Sequence, residues 1–379
     1  FITAEPPPVI ASPEMIHIEV PMPNGSITIR KISEVAIQAT VEEVTNPKTN
    51  AKYDCYQCQF DNGSRDGAVF QLRVGPDDIC HYDGTPKQYH GIDLLAGTVI
   101  HSVACTRNSD SENEYQAIFS DLPLDDLRQE AVYIVEETAC GDGDLLNAET
   151  MTITLSAPNQ SIHAQADFVN ERQRYRISVL KRGEEGQFNT QTLTYQYNQD
   201  IVEGAVFGLY SAHDIYSSSG EVIVPQDAMV DLMVTDAYGV AISSRDIPRG
   251  EYYVKELSTT DGLVLSETEY YLNTGDALSS EREATIICNQ GAAIVNKAIK
   301  GVIAIYKTTS DTQLPMEGVI FKVYNEQGVC VDEMITNEEG RAESIILPYG
   351  KYHCVETVTW NDYILAEPFT VDICESINE

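Results

Sequence analysis

The chain is short of basic residues: 24 Lys and Arg stand against 59 Asp and Glu, a formal net charge of −35 over 379 residues. So acidic a surface repels phosphate, which argues against nucleic acid as a partner. It also favours solubility and weak self-association unless a specific interface overrides the repulsion, and it suits an extracellular setting. There is one Trp and there are seven Met. No apolar run reaches the length of a membrane-spanning helix, so no membrane insertion is expected. The first residue is not Met and no signal peptide is visible, so we read the chain as a mature or trimmed piece of something longer.

The marks of metal sites and enzymes are also scarce. Cys55 and Cys58 form a C-x-x-C with no second pair at zinc-finger spacing and no βαβ context. Neither "GDGDLLN" (141–147) nor "NSDSENE" (108–114) is a complete EF-hand loop. His101 and Cys105 in "HSVACTRNSD" suit an alternating strand better than a catalytic dyad. We expect no cofactor, no metal and no enzyme acting on an external substrate. Nine cysteines are an odd count, which leaves at least one free thiol or one intermolecular bond, and disulfides would fit an exported protein.

What the chain does have is 21 Tyr among many Val, Ile and Thr, a composition that favours strands. Its length suggests two to four domains. Internal repetition then organises it. "VNERQRYRISVLK" (169–181) and "VNKAIKGVIAIYK" (295–307) each place an Asn eleven residues before a Lys: Asn170 before Lys181, Asn296 before Lys307. After each lysine the same markers follow in order. "GAVFQL" begins at Gly67, "GAVFGLY" at Gly204 and "GVIFKVY" at Gly318. A turn comes next, "IPRGEY" (247–252) or "LPYGKY" (347–352), with "LPLDDLRQEAVY" (122–133) as its lengthened counterpart. A Tyr-x-x-x-Glu closes the series: Tyr133/Glu137, Tyr252/Glu256 and Tyr352/Glu356. In an extended strand that spacing puts Tyr and Glu on one face. Lys31 in "GSITIRK" heads the first series. We therefore expect an all-β protein of tandem immunoglobulin-like sandwiches. Residues 1–20 would form an N-terminal arm, and the domains would cover 21–172 (with long insertions), 173–298 and 299–379.

A Glu or Lys deep in an apolar strand is costly if charged and alone. Buried salt bridges, or lysines snorkelling to a sandwich edge, would account for the pattern. So would chemistry. Burial lowers a Lys pKa and raises a Glu pKa, and a neutral amine beside a proton-shuttling carboxyl can attack an Asn carboxamide with loss of ammonia. The expected isopeptide pairs are Lys31 with Asn170 through Glu137, and Lys181 with Asn296 through Glu256.

Three stretches, "VNKAIKGVIAIYK", "EGVIFKVYNEQG" and "LPYGKYHCVETVTWNDYILAEPFTV", resemble the tandem B-type repeats of the collagen-adhesin (Cna) kind, the SpaA-like prealbumin domains of Gram-positive pilins and adhesin stalks. The resemblance implies that Glu356, with Glu137 and Glu256, promotes isopeptide formation. It also implies a structural subunit of a cell-surface or cell-wall fibre, self-associating head to tail or joined to other pilus subunits. The alternative is the stalk or ligand-binding region of a cell-wall adhesin, with the insertions at 32–66 and 80–120 facing host matrix or glycan. No LPxTG-type sorting signal and no pilin motif with its linking lysine stand in the sequence.

The third unit lacks a strand equivalent to the one ending in Asn296, and Asn378 follows Glu356 too closely to serve as the partner of Lys307. Residues 1–20 include an alternating run, "EMIHIEVP". Either the array is cut at arbitrary points, or this run completes the third domain of a neighbouring subunit. Val20 stands eleven residues before Lys31 and cannot react, so such a junction would be non-covalent.

Overall fold

The computed structural model describes residues 23–109, 114–157, 162–277 and 281–374. The expected arm at 1–20 and Asn378 lie outside them. The described residues hold no α-helix, and the only helical turns are short 3-10 turns at Thr274–Asp276 and Asn289–Gly291. Two units are distinct. The first comprises residues up to Ile32, Ser64–Asp142 and Leu146–Asn170; the second comprises Ser33–Gly63, Gly143–Leu145 and the chain from Glu171 on.

In the first unit, one antiparallel sheet runs Thr150–Ser156, Glu130–Ala139, Val69–Val74, Val99–Ala104. The first strand, from Gly25, pairs with Tyr115–Leu122 and with His163–Asn170. Residues alternate buried and half-buried along these strands, because side chains of an extended chain point alternately to core and solvent. Ile27, Ile29, Phe70, Leu72, Phe119, Tyr133 and Leu155 fill the core. Each large apolar side chain so buried contributes about 1.5–3 kcal/mol.

The second unit holds two cores. Around the first pack Tyr175, Ile177, Val179, Phe207, Leu209, Tyr252 and Val254; around the second pack Val319, Phe321, Val323, Met334, Leu347 and Tyr352. Each has a sheet in the same order. Glu269–Asn273, Glu251–Ser258, Val206–Ser211 and Met229–Val234 are matched by Phe369–Ile373, Gly350–Val358, Ile320–Tyr324 and Cys330–Ile335. The long strand Arg174–Asn189 carries Lys181. It pairs antiparallel with Val240–Ile242, and parallel with Glu283–Ile287 and Ile294–Asn296.

The hydrogen bonds repeat as well. The hydroxyls of Tyr133, Tyr252 and Tyr352 donate to the carbonyls of Pro123, Pro248 and Pro348 at 2.6, 2.7 and 2.9 Å. Gly67, Gly204 and Gly318 take φ of +90°, +77° and +76° at the turn into the following strand, a region where a side chain would be strained.

Two differences from the sequence reading stand out. Residues 33–63, read as an insertion of the first domain, form a hairpin of Ser33–Thr45 with Lys52–Gly63 that belongs to the second unit. It joins the sheet there through a parallel bridge between Cys55 and Met229. Its alternation is that of any strand; the contacts that decide its place are long-range. Arg245 donates to Glu42 at 2.9 Å, and buried Asn46 bonds Ser258 at 3.2 Å. Part of 80–120, read as an insertion too, supplies two strands of the first core, Val99–Ala104 and Tyr115–Leu122. Five of the cysteines are buried thiols. Burial pushes each of Cys55, Cys58, Cys105, Cys288 and Cys354 up to about 11.

Candidate functional site

The site in the middle core is assembled from the first, last and Tyr-x-x-x-Glu strands. Lys181 and Asn296 lie on neighbouring parallel strands, where Lys181 stands opposite Ile294 and Gly183 opposite Asn296. Glu256 rises from the facing sheet. The side chains of Lys181 and Glu256 have no solvent exposure, and Asn296 is buried. The two oxygens of Glu256 serve two neighbours: Oε1 is 3.4 Å from Lys181 Nζ, and Oε2 accepts from Asn296 Nδ2 at 2.7 Å. Asn296 Nδ2 also reaches Thr259 Oγ1 at 3.1 Å, while Asn296 Oδ1 has no hydrogen-bond partner. Burial pulls the Lys181 amine below its ordinary value, against the opposing charge and hydrogen bond of Glu256. The amine also donates to the carbonyls of Arg182 and Ile294 at 3.2 and 3.4 Å. Amine, carboxylate and carboxamide thus share one buried pocket.

The first unit has the same parts. Lys31, Glu137 and Asn170 are buried, and Asn170 Nδ2 donates to Glu137 Oε2 at 2.6 Å. Lys31 Nζ donates to the carbonyl of Ile32 at 3.1 Å. The Cys105 thiol is pushed up by burial; the charge of Lys31 lowers it and that of Glu137 raises it, so it sits within reach of both. In the third core Lys307 Nζ lies 3.0 Å from Glu356 Oε2. The Glu356 side chain is fully buried, but Lys307 remains 19% exposed, and Glu356 Oε1 has no hydrogen-bond partner. No asparagine among the described residues bonds this carboxylate.

Two further features position the glutamates and were not read from the sequence. First, the backbone N–H ten residues on donates to Oε2 in every case: Asn147 to Glu137 and Ser266 to Glu256 at 3.0 Å, and Ala366 to Glu356 at 2.8 Å. Second, a β-bulge directly follows each Glu. Phe70 pairs with Glu137, Phe207 with Glu256 and Phe321 with Glu356, and the next pairs skip Thr138, Leu257 and Thr357. Bulges re-aim the side chain beside them. The only sequence signal is the constant spacing of the Gly-x-x-Phe and Tyr-x-x-x-Glu runs.

A family model described as "SpaA: Prealbumin-like fold domain" matches residues 190–282 and 301–378. Among solved structures, the Bacillus anthracis TIE protein is similar at 20% identity, with a TM-score of 0.55, over 93% of this chain and 49% of that one. The chain therefore spans about half the length of that structure, and the likeness is one of fold. BcpA, the major pilin subunit of Bacillus cereus, matches at 13% identity with a TM-score of 0.34, over 92% of this chain and 95% of that one. The major pilin SpaD from Corynebacterium diphtheriae matches at 12% identity with a TM-score of 0.24, over 92% and 91%. No curated protein matches the chain.

Proposed function

Since the chain carries tandem SpaA prealbumin-like fold domains, we propose that it is a structural segment of a Gram-positive pilus or cell-surface fibre, with cores closed by Lys–Asn isopeptide bonds. The observation that carries this reading is the division of one carboxylate between two tasks. Glu256 Oε1 faces the Lys181 amine while Oε2 faces the Asn296 amide nitrogen.

In the proposed step Oε1 takes a proton from the lysine, and neutral Nζ attacks Cγ of Asn296. Oε2 returns the proton to Nδ2, the Cγ–Nδ2 bond breaks and ammonia leaves, while the second proton of the attacking Nζ passes to the Glu256 carboxylate as the amide forms. The products are one amide and one ammonia, and no oxidant or cofactor takes part. Lys31, Glu137 and Asn170 would react in the same way. The bond would tie the first strand to the last, so tension applied to the chain ends would bear on a covalent link.

Among the described residues no asparagine bonds Glu356, and a strand further along the chain or one from a neighbouring subunit would complete the third site. The run within 1–20 of a neighbouring subunit is the donor inferred from sequence, and with Val20 at the matching place the junction would hold without a bond. Intact mass of the full chain, beside Glu256→Ala, tests the chemistry. The native chain should lack two ammonia and the variant one; equal masses apart from the substitution would overturn the assignment of Glu256. Deleting residues 1–22 should abolish any polymer; persistence of filaments would remove the strand-donation step.

A further inference from the structure

Beyond Lys31 and Lys181 the lysine-bearing strands do not stop. Each continues into a hairpin: Ser33–Thr45 with Lys52–Gly63, and the outer part of Arg174–Asn189 with Thr194–Ile201. The first hairpin lies against the middle core, with Phe60 and Tyr56 among the side chains packed there. The second lies against the third core through Phe188 and Tyr195, whose rings are 5.1 Å apart. Tyr195 lines the same groove as Tyr352 and Asn325.

The same latch closes each hairpin. Three residues after the lysine stands an acid, Glu34 or Glu184. Shortly after the asparagine stands a cation, Arg172 or Lys300. Arg172 Nε is 3.7 Å from Glu34 Oε2, and its guanidinium lies 3.7 Å from the Phe60 ring centroid. Lys300 Nζ is 3.1 Å from Glu184 Oε2 and 3.7 Å from the Tyr197 centroid. Glu184 further accepts from the Ala298 N–H at 3.2 Å. An acid, a cation and a hairpin aromatic thus meet twice, with the cation two residues after the asparagine in the first case and four in the second, and with Arg172 also paired to Asp246 at 2.5 Å. A cation over a ring face is held by the ring quadrupole. The hairpin also runs so close to the third core that a Cβ on Gly186 would come 3.3 Å from Pro348. In the third core the strand Ala304–Tyr306 ends before Lys307, and only an isolated bridge, Thr308 to Pro315, follows.

We infer that each of the first two lysine strands doubles as a coupling arm, whose hairpin is recognised by the next core and locked there by the acid–cation–aromatic latch. The latch acts through packing and charge and does not depend on the isopeptide reading.

The test is amide hydrogen exchange on the full chain, comparing wild type with Lys300→Gln, Lys300→Arg and Tyr197→Ser. In Lys300→Gln the amides of Arg182–Asn189 and Thr194–Ile201 should exchange about tenfold faster, while those of Val206–Ser211 stay unchanged. Arg at 300 keeps both the charge and the stacking and should restore protection. Unchanged hairpin exchange in Lys300→Gln and Tyr197→Ser, or failure of Arg to rescue, would overturn the proposal. Should Tyr197→Ser unfold the chain, Lys300→Gln carries the same test, since its side chain is 32% exposed. Intact mass read on the same samples keeps isopeptide formation a separate outcome.

Discussion

Replacing Glu256 with Ala removes the group that touches both reacting partners, so under the proposed mechanism the middle core would fold without its cross-link. The bond from Lys181 to Asn296 would close a loop of about 115 residues. Treated like a disulfide, closing such a loop withdraws roughly 16 cal/mol/K from the unfolded ensemble, or about 5 kcal/mol at 25 °C. For a core of this size each kcal/mol moves the melting midpoint by roughly 4 °C, so the middle core should melt about 20 °C lower. Glu256→Ala also leaves the Lys181 amine buried without its carboxylate, which would add to the loss. Asn296→Ala separates the two effects, because it removes the bond but keeps the Lys181–Glu256 pair. Differential scanning calorimetry on the full chain, with thiols kept reduced, should show one transition falling in both variants and further in Glu256→Ala. Midpoints within a few degrees of wild type in both would refute the reasoning, because no covalent closure would then be contributing.

Three further outcomes follow from the geometry. Phe207→Ala, opposite Glu256 at the bulge, should cost about 3–5 kcal/mol by leaving a cavity and should slow ammonia loss, read by timed mass spectra after refolding; unchanged kinetics would mean the bulge does not aim the carboxylate. Tyr252→Phe should cost about 1–2 kcal/mol in urea unfolding, since the Pro248 carbonyl loses its 2.7 Å donor. Burial raises the Glu184 carboxyl, but Lys300, the Ala298 N–H and Lys297 together outweigh burial and hold it below its ordinary value. A depressed folded pKa gives stability that is present above the unfolded value and lost as pH falls through the folded one. The arm should therefore loosen below about pH 4.5, and Glu184→Gln should flatten that dependence in pH-resolved hydrogen exchange.

Much of the architecture is legible in the sequence, because its signals are local and repeated. The Tyr-x-x-x-Glu runs and the Asn-to-Lys spacing mark residues that the structure gathers into one pocket, as with Lys181, Glu256 and Asn296. The all-β class follows from the same alternation. What cannot be read depends on distant partners. "TVEEVTNPKTNAKYDCYQCQF" alternates like any hairpin, and only Arg245 with Glu42, or Asn46 with Ser258, assigns it to the second unit. The bulges after Glu137, Glu256 and Glu356 leave no mark of composition, since Thr138, Leu257 and Thr357 are ordinary strand residues. The paired Glu34–Arg172 and Glu184–Lys300 latches escape notice because each joins residues more than a hundred positions apart.

The most direct measurement is a peptide map of the reduced full chain, digested and read by tandem mass spectrometry at the middle core. The account predicts a branched peptide that joins the segment around Lys181 to the segment around Asn296 and lacks one ammonia. Separate linear peptides, with Lys181 and Asn296 both unmodified, would contradict it and reduce the site to a buried polar contact.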